Sequence, residues 1–290
     1  MPVDHYENFP VASWLVPARL RPPIEAIYGF ARGADDIADE GYLPDAQRLE
    51  GLDRHLEALD AIEGGRAPPA GFARIAAAIR DYDLPIGLLR DLIDAFKQDV
   101  VKKRYATFAE VLDYSRRSAN PIGRLVLHLV ERVAPENGVR DEFSRKDSVS
   151  GKPSLTPFSD AICSALQIIN FWQDVALDWE KGRVYIPIED LERFGVSERQ
   201  IAQARADAKW SELMAFECAR ARRMLASGAP LGNSLPGRMG LEIRATVAGG
   251  AAILDKIEAA HGDVFRHRPV LTKLDWIRIL AKTVSGTIFR

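Results

Sequence analysis

The sequence predicts an all-α protein whose 290 residues form a single domain, residues 1–290. Apolar residues recur at helical spacing along most of the chain. Alternating runs typical of strands are absent, and the apolar run at 184–186 is too short to count as one. Proline and glycine fall at intervals that suit helix ends, and no linker is long enough to divide domains.

This punctuation places the helices one after another. Pro22 and Pro23 should open a helix that runs to about Glu40, and Pro85 should begin another. The later expectations are a long helix from about Ser159 to Lys181, a helix capped at Ser197 that runs to about Leu225, a Gly/Pro-rich loop over 227–240, and two closing helices.

Composition excludes several classes of protein. At 47% hydrophobic and 28% charged residues, the chain can bury a large core, and its net charge of −2 gives no support to a nucleic-acid partner. Cys163 and Cys218 form no CxxC pair, which disfavours a disulfide framework or a zinc site. The N-terminus resembles no signal peptide and no apolar run could span a bilayer, so we expect a cytoplasmic protein.

A first acidic stripe lies in the segment from Tyr28 to Asp39. Tyr28, Arg32, Asp35 and Asp39 are spaced 4, 3 and 4 residues apart, which aligns them on one helix face. Like charges at i,i+4 destabilise a helix by a few tenths of a kcal/mol, and a divalent cation between them would reverse that sign. A solvated acidic helix end is the alternative interpretation.

A second acidic stripe repeats the pattern with Gln167, Asn170, Asp174 and Asp178. The residues around it are apolar nearly all round, so the helix should be buried and its polar ladder should line a wet cavity. Buried polar residues satisfied by neighbouring helices are an equal alternative for Gln167 and Asn170. Paired carboxylates are rarely buried unless they are neutralised or bind metal, which favours metal at the two aspartates.

Two such stripes on facing helices could hold several magnesium ions and one diphosphate. Magnesium and basic side chains would neutralise a departing diphosphate, and an apolar, aromatic-lined cavity would protect the carbocation left behind. The coincidence of two stripes predicts an enzyme that uses Mg²⁺ to ionise a diphosphate substrate.

These motifs, followed by Tyr185, resemble the two aspartate-rich motifs of the squalene/phytoene synthase family. Further similarities are Gln98-Asp99 with Arg104-Tyr105, Tyr114 nine residues before Gly123, and the segment from Ile253 to Lys273. The resemblance implies the isoprenoid, head-to-head prenyl synthase fold, with one helical bundle around a central cavity. It also implies prenyl diphosphate chemistry with magnesium.

The chain departs from the common family pattern at several positions. It reads His5-Tyr6-Glu7-Asn8-Phe9 near its start and Asn120-Pro121-Ile122-Gly123 in the middle, with Gln173 for a common arginine and Gly250 for a common tyrosine. This set resembles the hopanoid-pathway branch that makes hydroxysqualene from presqualene diphosphate and water. That branch implies contact with the inner membrane from the cytoplasmic side and coupling to other hopanoid enzymes.

The resemblance suggests a role for each site residue. Asp35, Asp39, Asp174 and Asp178 would bind magnesium, with Asp36 and Asn170 in support. Guanidinium groups match phosphate oxygens bidentately, so the candidates to hold diphosphate are Arg32, Arg183, Arg268 and the amine of Lys273. Tyr28, Tyr114 and Tyr185 would place hydroxyls or ring faces near the cation, and a buried tyrosine with a satisfied hydroxyl is an equal interpretation.

Two other classes compete with this prediction. A di-iron bundle needs two Glu-x-x-His motifs, and only Glu258 with His261 fits, so we reject it. A non-catalytic helical interaction protein would need no magnesium and no deep cavity. Within the enzyme class, the runner-up condenses two prenyl diphosphates into presqualene diphosphate, squalene or phytoene.

Overall fold

A computed structural model describes residues 15–39, 43–133, 154–285 and 288. Among them there is no β-strand; the extended pairing they contain is a parallel bridge between Arg104 and Val184. The predicted all-α class is confirmed.

The helices are a 3₁₀ turn at Ala18–Leu20, α1 (Arg21–Asp39), α2 (Asp45–Glu63), α3 (Ala73–Tyr82), α4 (Ile86–Val101), α5 (Phe108–Ser118), α6 (Asn120–Val133), α7 (Thr156–Gln173), α8 (Val175–Glu180), α9 (Ile188–Phe194), α10 (Glu198–Ala202), α11 (Ala208–Gly228), α12 (Leu231–Ser234), α13 (Gly237–Ala259) and α14 (Lys273–Ser285).

Contacts group the described residues into two compact units. The first unit takes its residues from 11–101 and 117–160, and the second takes them from 102–116 and 161–290. The single-domain assignment stays a prediction. No helix in the described part of the chain is long and apolar enough to cross a membrane.

In the first unit, α1 packs against α2, α3, α4 and α6. Its buried residues Ile27, Phe30, Ala34 and Ala38 recur at three- and four-residue steps, so they form one apolar stripe that faces the neighbouring helices. Because this stripe fixes the rotation of α1, the acidic stripe on the adjacent face is fixed as well. Helix α2 contributes His55, whose ring meets that of Phe30 edge-on at 5.4 Å.

In the second unit, α13 packs against α11, α12 and α14. Small residues on α13 allow close approach, most clearly at Gly250. A Cβ atom there would lie 2.8 Å from the Leu166 Cδ2 atom and 3.1 Å from that of Leu225. The missing side chain therefore lets leucines from α7 and α11 meet the α13 backbone.

The structure interrupts two of the long helices that the sequence predicts. The helix expected over 159–181 breaks at Asp174, and the helix expected from Ser197 to Leu225 is two helices, α10 and α11. Ser197 does form the predicted cap, in a reciprocal capping box with Gln200. Asp207 then caps α11 by accepting a hydrogen bond from the Trp210 backbone N–H at 3.1 Å. An aspartate cap starts a new helix there, which the apolar periodicity alone does not reveal.

The loop expected over 227–240 is also shorter than predicted. Helix α12 forms within it, and α13 begins at Gly237 rather than after Gly240. Gly237 has a positive φ of 56°, a conformation that glycine adopts without steric cost. The chain can therefore turn sharply at this glycine and continue at once as α13.

Candidate active site

The first acidic stripe forms a partly buried cluster in the first unit. Asp35, Asp36 and Asp39 lie on the last two turns of α1, where all three side chains are half-buried. A fourth aspartate, Asp99 on α4, is buried and acts electrostatically on Asp35. Since α4 packs against α1, acidic groups from two helices meet at this place.

Burial and like charge both disfavour ionised Asp35. Desolvation is the larger cause and the Asp39 carboxylate the next, and together with Asp99 and Asp36 they raise the pKa of Asp35 from 3.8 to about 7. Arg32 opposes this rise. The side chain of Asp35 keeps 35% of its surface exposed, so solvent screens part of the repulsion. The cluster holds more negative charge than its own cation compensates.

Arg32 lies within this cluster. Its Nε atom is 2.7 Å from Asp36 Oδ1, and its Nη1 atom is 3.7 Å from Asp35 Oδ2. The sequence places Arg32 on the same face as Asp35 and Asp39, and the structure adds that Asp36 is its nearer partner. Arg32 therefore neutralises part of the acidic stripe, and its side chain remains 40% exposed.

The donor chemistry of the first cluster fits magnesium. Carboxylate oxygens are the ligands that this ion prefers, and uncompensated repulsion at Asp35 is what a divalent cation would relieve. In the described part of the chain, however, no group of three or more aspartate, glutamate, histidine or cysteine side chains lies close enough together to hold a metal ion. Magnesium binds one or two carboxylates and completes its shell with water and substrate phosphate.

The second acidic stripe lies in the second unit, at the junction of α7 and α8. Asp174 occupies the break between these helices with φ −102° and ψ 12°. Helical hydrogen bonds continue across the break, because the Asp174 N–H donates to the Asn170 carbonyl at 3.0 Å and the Asp178 N–H donates to the Asp174 carbonyl at 2.8 Å. The ladder therefore stays on one face although the helix is interrupted.

Asp174 is buried and strongly hydrogen-bonded. The Asn170 side-chain amide donates to Asp174 Oδ2 at 2.9 Å. Arg268 donates to both carboxylate oxygens, through Nε to Oδ1 and through Nη2 to Oδ2 at 3.2 Å. Ninety-four residues separate the two partners. The structure thus joins three predicted site residues, with Arg268 as the cation that neutralises Asp174.

Next to Arg268, Gln173 anchors the same segment. Its side-chain amide donates to the Pro269 carbonyl at 2.6 Å, and the residue is almost fully buried. The family resemblance implies an arginine at this position. A neutral glutamine suits this buried position, because its hydrogen-bond partner is a backbone carbonyl. The nearby Asp174 carboxylate is already neutralised by Arg268.

Arg183 and Tyr185 form a second buried part of the site in this unit. Arg183 donates from Nη1 to the Tyr185 hydroxyl at 3.2 Å, and both residues are buried. The Tyr185 ring stacks on Phe171 with centroids 3.8 Å apart and an interplanar angle of 6°. One ring face of Tyr185 is therefore covered by Phe171, and its hydroxyl accepts a hydrogen bond from a cation.

Tyr105 and Tyr114 complete an aromatic cluster around Tyr185. The centroid of Tyr105 lies 5.5 Å from that of Tyr185, and that of Tyr114 lies 5.9 Å from those of both Tyr185 and Phe171. Such spacings are typical of favourable aromatic pairs. The structure supports the packed-core interpretation of Tyr114 and Tyr185 and places both predicted residues in one cluster.

Backbone pairing between two extended segments assembles this cluster. The Val184 N–H donates to the Lys103 carbonyl at 3.0 Å, and the Ile188 N–H donates to the Tyr105 carbonyl at 2.9 Å. Arg104 strengthens the pairing by donating from Nη1 to the Gly182 carbonyl at 2.6 Å. The family-like Arg104-Tyr105 pair therefore holds Tyr105 beside Tyr185.

The structure also places the remaining predicted residues. Tyr28 is half-buried on α1 in the first unit, one turn before Arg32. Gln167 and Asp178 are half-buried on α7 and α8, and Lys273 is exposed at the first residue of α14. The variant motif at residues 5–9 lies outside the described residues.

The other two departures from the family pattern have local explanations. Asn120 is the first residue of α6 and Pro121 the second, a place where proline costs nothing because its missing N–H would have no helical partner. Gly250 lies where the resemblance implies a tyrosine, and the volume of that side chain is filled by Leu166, Leu225 and Ile169. Both changes alter what packs around the helices without interrupting them.

Three buried acids of the described residues, Asp99, Asp190 and Glu217, are absent from the predicted site residues, although the sequence placed Asp99 in the family-like Gln98-Asp99 pair. Asp99 and Glu217 both occupy positions of an otherwise apolar helix stripe: Asp99 follows Leu92 and Phe96 on α4, and Glu217 lies between Leu213 and Ala221 on α11. An acid within an apolar stripe is the signal that could have identified them, because such a side chain must be buried.

The fold and these acidic and basic groups define an isoprenoid-synthase-type enzyme. A family model described as squalene/phytoene synthase matches residues 3–275. The chain belongs to the squalene/phytoene synthase family, whose members process prenyl diphosphates.

Curated relatives refine this picture. The chain is 34% identical over 229 residues to hydroxysqualene synthase of Sinorhizobium fredii, covering 78% of this chain and 70% of the relative. It is 35% identical over 240 residues to hydroxysqualene synthase of Rhodopseudomonas palustris, covering 82% and 74%. A phytoene synthase of Arthrospira platensis is 28% identical over 267 residues, covering 91% and 84%.

Solved structures agree on the fold. Squalene synthase HpnC from Alicyclobacillus acidocaldarius matches with a TM-score of 0.75 and 34% identity, covering 89% of this chain and 90% of that one. A dehydrosqualene synthase in complex with ligand has the same TM-score of 0.75 at 18% identity, which shows the fold alone. The prediction of a synthase-type helical fold is confirmed.

Proposed function

We propose that this protein is a hydroxysqualene synthase, which converts presqualene diphosphate and water into hydroxysqualene and diphosphate. The observation that carries the proposal is the acidic cluster around Asp35, whose excess negative charge suits a metal-bound diphosphate substrate. The choice of product is supported by the hydroxysqualene synthases at 34% and 35% identity, compared with 28% for the phytoene synthase of Arthrospira platensis.

The proposed reaction needs no oxidant or reductant. The carbon–oxygen bond to diphosphate breaks, and diphosphate leaves with the electron pair. The cyclopropylcarbinyl cation rearranges, the oxygen of a water molecule bonds to it, and that water loses a proton. The reaction is therefore a substitution of diphosphate by hydroxyl with skeletal rearrangement, and it fits a hopanoid-type pathway in which the product is processed further.

The proposed metal ligands are Asp35 and Asp39 in the first unit and Asp174 and Asp178 in the second, with Asp36 and Asn170 in support. We add Asp99, because its charge reaches Asp35. When bound, magnesium would neutralise the diphosphate as it departs.

Basic side chains of the chain itself would hold the diphosphate. Arg268 is the best placed of them, because its guanidinium both fixes Asp174 and keeps 21% of its surface exposed. Arg32 holds Asp36 in the same manner in the first unit. Arg183 orients the Tyr185 hydroxyl. Lys273 is proposed from the family resemblance and its exposed position.

The aromatic cluster of Phe171, Tyr105, Tyr114 and Tyr185 would provide a water-poor wall beside a carbocation. Ring faces attract cations, and buried rings exclude water that would capture the cation too early. Since Phe171 and Tyr105 both stack on Tyr185, its proposed contribution to this wall is its hydroxyl and ring edge. Tyr28 and Gln167 are proposed to contact substrate at the two stripes.

The product assay tests the reaction. Purified protein is incubated with presqualene diphosphate or with farnesyl diphosphate, each with magnesium or with a chelator, and products are identified by mass spectrometry. We expect hydroxysqualene from presqualene diphosphate alone, and only with magnesium. A condensation product from farnesyl diphosphate would instead establish the runner-up, a squalene- or phytoene-forming transferase.

Variants test the site. Asp35→Asn and Asp174→Asn should each abolish turnover while the helical circular dichroism is retained. The matched control is Asp94→Asn, which changes an exposed aspartate on α4 and should keep wild-type rates. Thermal melting with magnesium and inorganic diphosphate gives a second readout. These two ligands should raise the melting temperature of the wild type and of Asp94→Asn, but not that of Asp35→Asn. Wild-type turnover by Asp174→Asn would remove the metal assignment.

A further inference from the structure

The short helix α8 ends in a turn that joins two predicted site residues. The Arg183 N–H donates to the Asp178 carbonyl at 2.7 Å, and the Gly182 N–H donates to the Trp179 carbonyl at 2.9 Å. Gly182 has a positive φ of 74°, so the two bonds form a Schellman motif, a common way for a helix to end at glycine. The conformation of this α8 turn, residues 178–183, therefore sets where Arg183 lies relative to Asp178.

The α8 turn has little support of its own. Helix α8 has six residues, and a helix this short is not stable without contacts from other segments. Gly182 is exposed, and a Cβ atom at this position would have no neighbour within 4 Å. Contacts from elsewhere in the second unit, where α8 packs against α10, must therefore keep the turn in one conformation.

Arg104 makes such a contact. Its Nη1 atom donates to the Gly182 carbonyl at 2.6 Å and to the Lys103 carbonyl at 2.8 Å. Its Cζ atom also lies 5.7 Å from the centre of the Trp179 ring, which is within the range of a cation–π interaction. Arg104 thus binds the α8 turn at two places and joins it to the extended segment that carries Tyr105.

Glu198, the first residue of α10, holds the Arg104 guanidinium. Arg104 donates from Nε to Glu198 Oε1 at 2.5 Å and from Nη2 to Oε2 at 2.8 Å. A bidentate pair of this kind fixes the plane of the guanidinium, and the Nη1 atom is then directed at the Gly182 carbonyl. A glutamine at 198 would keep the length of the side chain but replace one acceptor oxygen by an NH₂ donor, so the bidentate pair would be lost.

This ion pair is placed where its effect on stability is small. The side chains of Arg104 and Glu198 are 31% and 38% exposed, and exposed ion pairs add little to the stability of a fold. The pair joins residues 94 positions apart, and it ends at a turn that bears two site residues. Its main consequence is therefore local geometry.

We propose that Glu198 is a positioning residue, which holds Arg104 and thereby fixes the α8 turn with Asp178 and Arg183. The inference rests on the proposed function, in which Asp178 binds magnesium and Arg183 orients the Tyr185 hydroxyl. Glu198 acts without contacting substrate, because its effect passes through the Arg104 guanidinium to the Gly182 carbonyl. It belongs to neither acidic stripe, and the sequence gives no signal of its partner.

Hydrogen–deuterium exchange of the ligand-free, full-length protein tests the positioning directly. Peptides that cover residues 178–188 contain the N–H groups of Gly182, Arg183 and Val184, all of which are hydrogen-bonded. In Glu198→Gln these peptides should exchange faster, on the order of tenfold, because the turn opens locally more often. Peptides from α11 and α13 should exchange at the wild-type rate.

Turnover and magnesium dependence test the consequence for the site. With saturating presqualene diphosphate, Glu198→Gln should turn over on the order of tenfold more slowly, because a small displacement of site groups lowers the rate. The magnesium concentration that gives half-maximal turnover should rise. Magnesium with inorganic diphosphate should raise the melting temperature of Glu198→Gln less than that of the wild type, although the two proteins should melt alike without these ligands.

A double-variant comparison shows whether Glu198 acts through Arg104. Arg104→Lys keeps the positive charge but loses the bidentate pair, and it should speed exchange at 178–188 and slow turnover. Adding Glu198→Gln to Arg104→Lys should cause no further loss, because the two residues form one path. The matched control is Glu192→Gln, which changes an exposed glutamate on α9 and should behave as the wild type in every assay.

The positioning role would be refuted if Glu198→Gln exchanged at 178–188 as the wild type does, or if its turnover and magnesium dependence were those of the wild type. Faster exchange along the whole chain with a lower melting temperature would also refute it, since Glu198 would then contribute to stability alone. Failure of the proposed function looks different, because the wild type itself would convert no presqualene diphosphate. In that case, exchange at 178–188 and the melting shift with magnesium and diphosphate still decide the role of Glu198.

Discussion

Replacing Glu217 by glutamine should stabilise the protein at neutral and alkaline pH. Glu217 is fully buried on α11, and no donor group bonds to either of its carboxylate oxygens. Arg220 lies 3.5 Å away, but its guanidinium is bonded through both Nη atoms to the Asp190 carboxylate at 2.9 and 3.1 Å. Glutamine keeps the shape of the side chain and removes the cost of a buried charge.

The size of the effect follows from the pKa of Glu217. Burial is the main cause that raises this pKa from 4.5 to about 8, and the Asp190 charge adds to it while Arg220 opposes it. In the unfolded chain the Glu217 carboxyl ionises near pH 4.5. Between its unfolded and folded pKa values, the folded state therefore keeps a proton that the unfolded state has lost. Stability therefore falls as pH rises through this window and levels off above about pH 8, by at most about 5 kcal/mol at about 1.4 kcal/mol per pH unit.

Urea unfolding of the wild type and Glu217→Gln at about pH 6 and about pH 8.5 measures this dependence. Between those values, the advantage of the variant should grow by roughly 2–3 kcal/mol. Glu212→Gln is the matched control, since Glu212 is exposed on the same helix and its change should leave the pH dependence intact. If the free energies of unfolding of wild type and Glu217→Gln stayed parallel across this range, the reasoning about a protonated Glu217 would be refuted.

Three further predictions concern packing, capping and the acidic cluster. Gly250→Tyr, which restores the residue common in the family, should destabilise the fold by about 3 kcal/mol in denaturant unfolding, because Leu166 already fills that space. Asp207→Ala should cost about 1 kcal/mol in the same assay through loss of the cap on α11, whereas Asp207→Asn should largely preserve stability. Asp35→Asn should melt at a higher temperature than the wild type in chelator at neutral pH and at an equal temperature near pH 4, because the raised pKa of Asp35 makes ionisation unfavourable to folding. A lower melting temperature of Asp35→Asn at neutral pH would show that its carboxylate stabilises the fold.

Local patterns determined much of this protein from the sequence alone. The two stripes lie on helix faces as expected, because three- and four-residue spacing fixes which side chains are neighbours once a helix forms. The cap at Ser197 was equally local, since it depends on a side chain and the N–H groups a few residues away. These features need no knowledge of how helices pack.

Other features depended on partners far apart in the chain. Arg268 and Asp174 are 94 residues apart, and the sequence assigned them separate roles, as phosphate and metal ligands, although they bond to each other. The helix breaks at Asp174, the residue that bonds to Arg268. The sequence gives no signal of this break, because helical periodicity continues through it. A sequence records which residues could form an ion pair, but only packing chooses among many cations.

Burial was decided in the same way. The sequence analysis named Asp99 only within a family-like pair and did not name Glu217, although both interrupt apolar stripes. The packing of α4 on α1 brings Asp99 to Asp35, and the packing of α11 removes Glu217 from water. The sequence thus determined the helices and the face that each side chain occupies, because those follow from local geometry. Tertiary structure decided which charges lose their solvent and which find a partner, because desolvation and ion pairing depend on groups that only folding brings together.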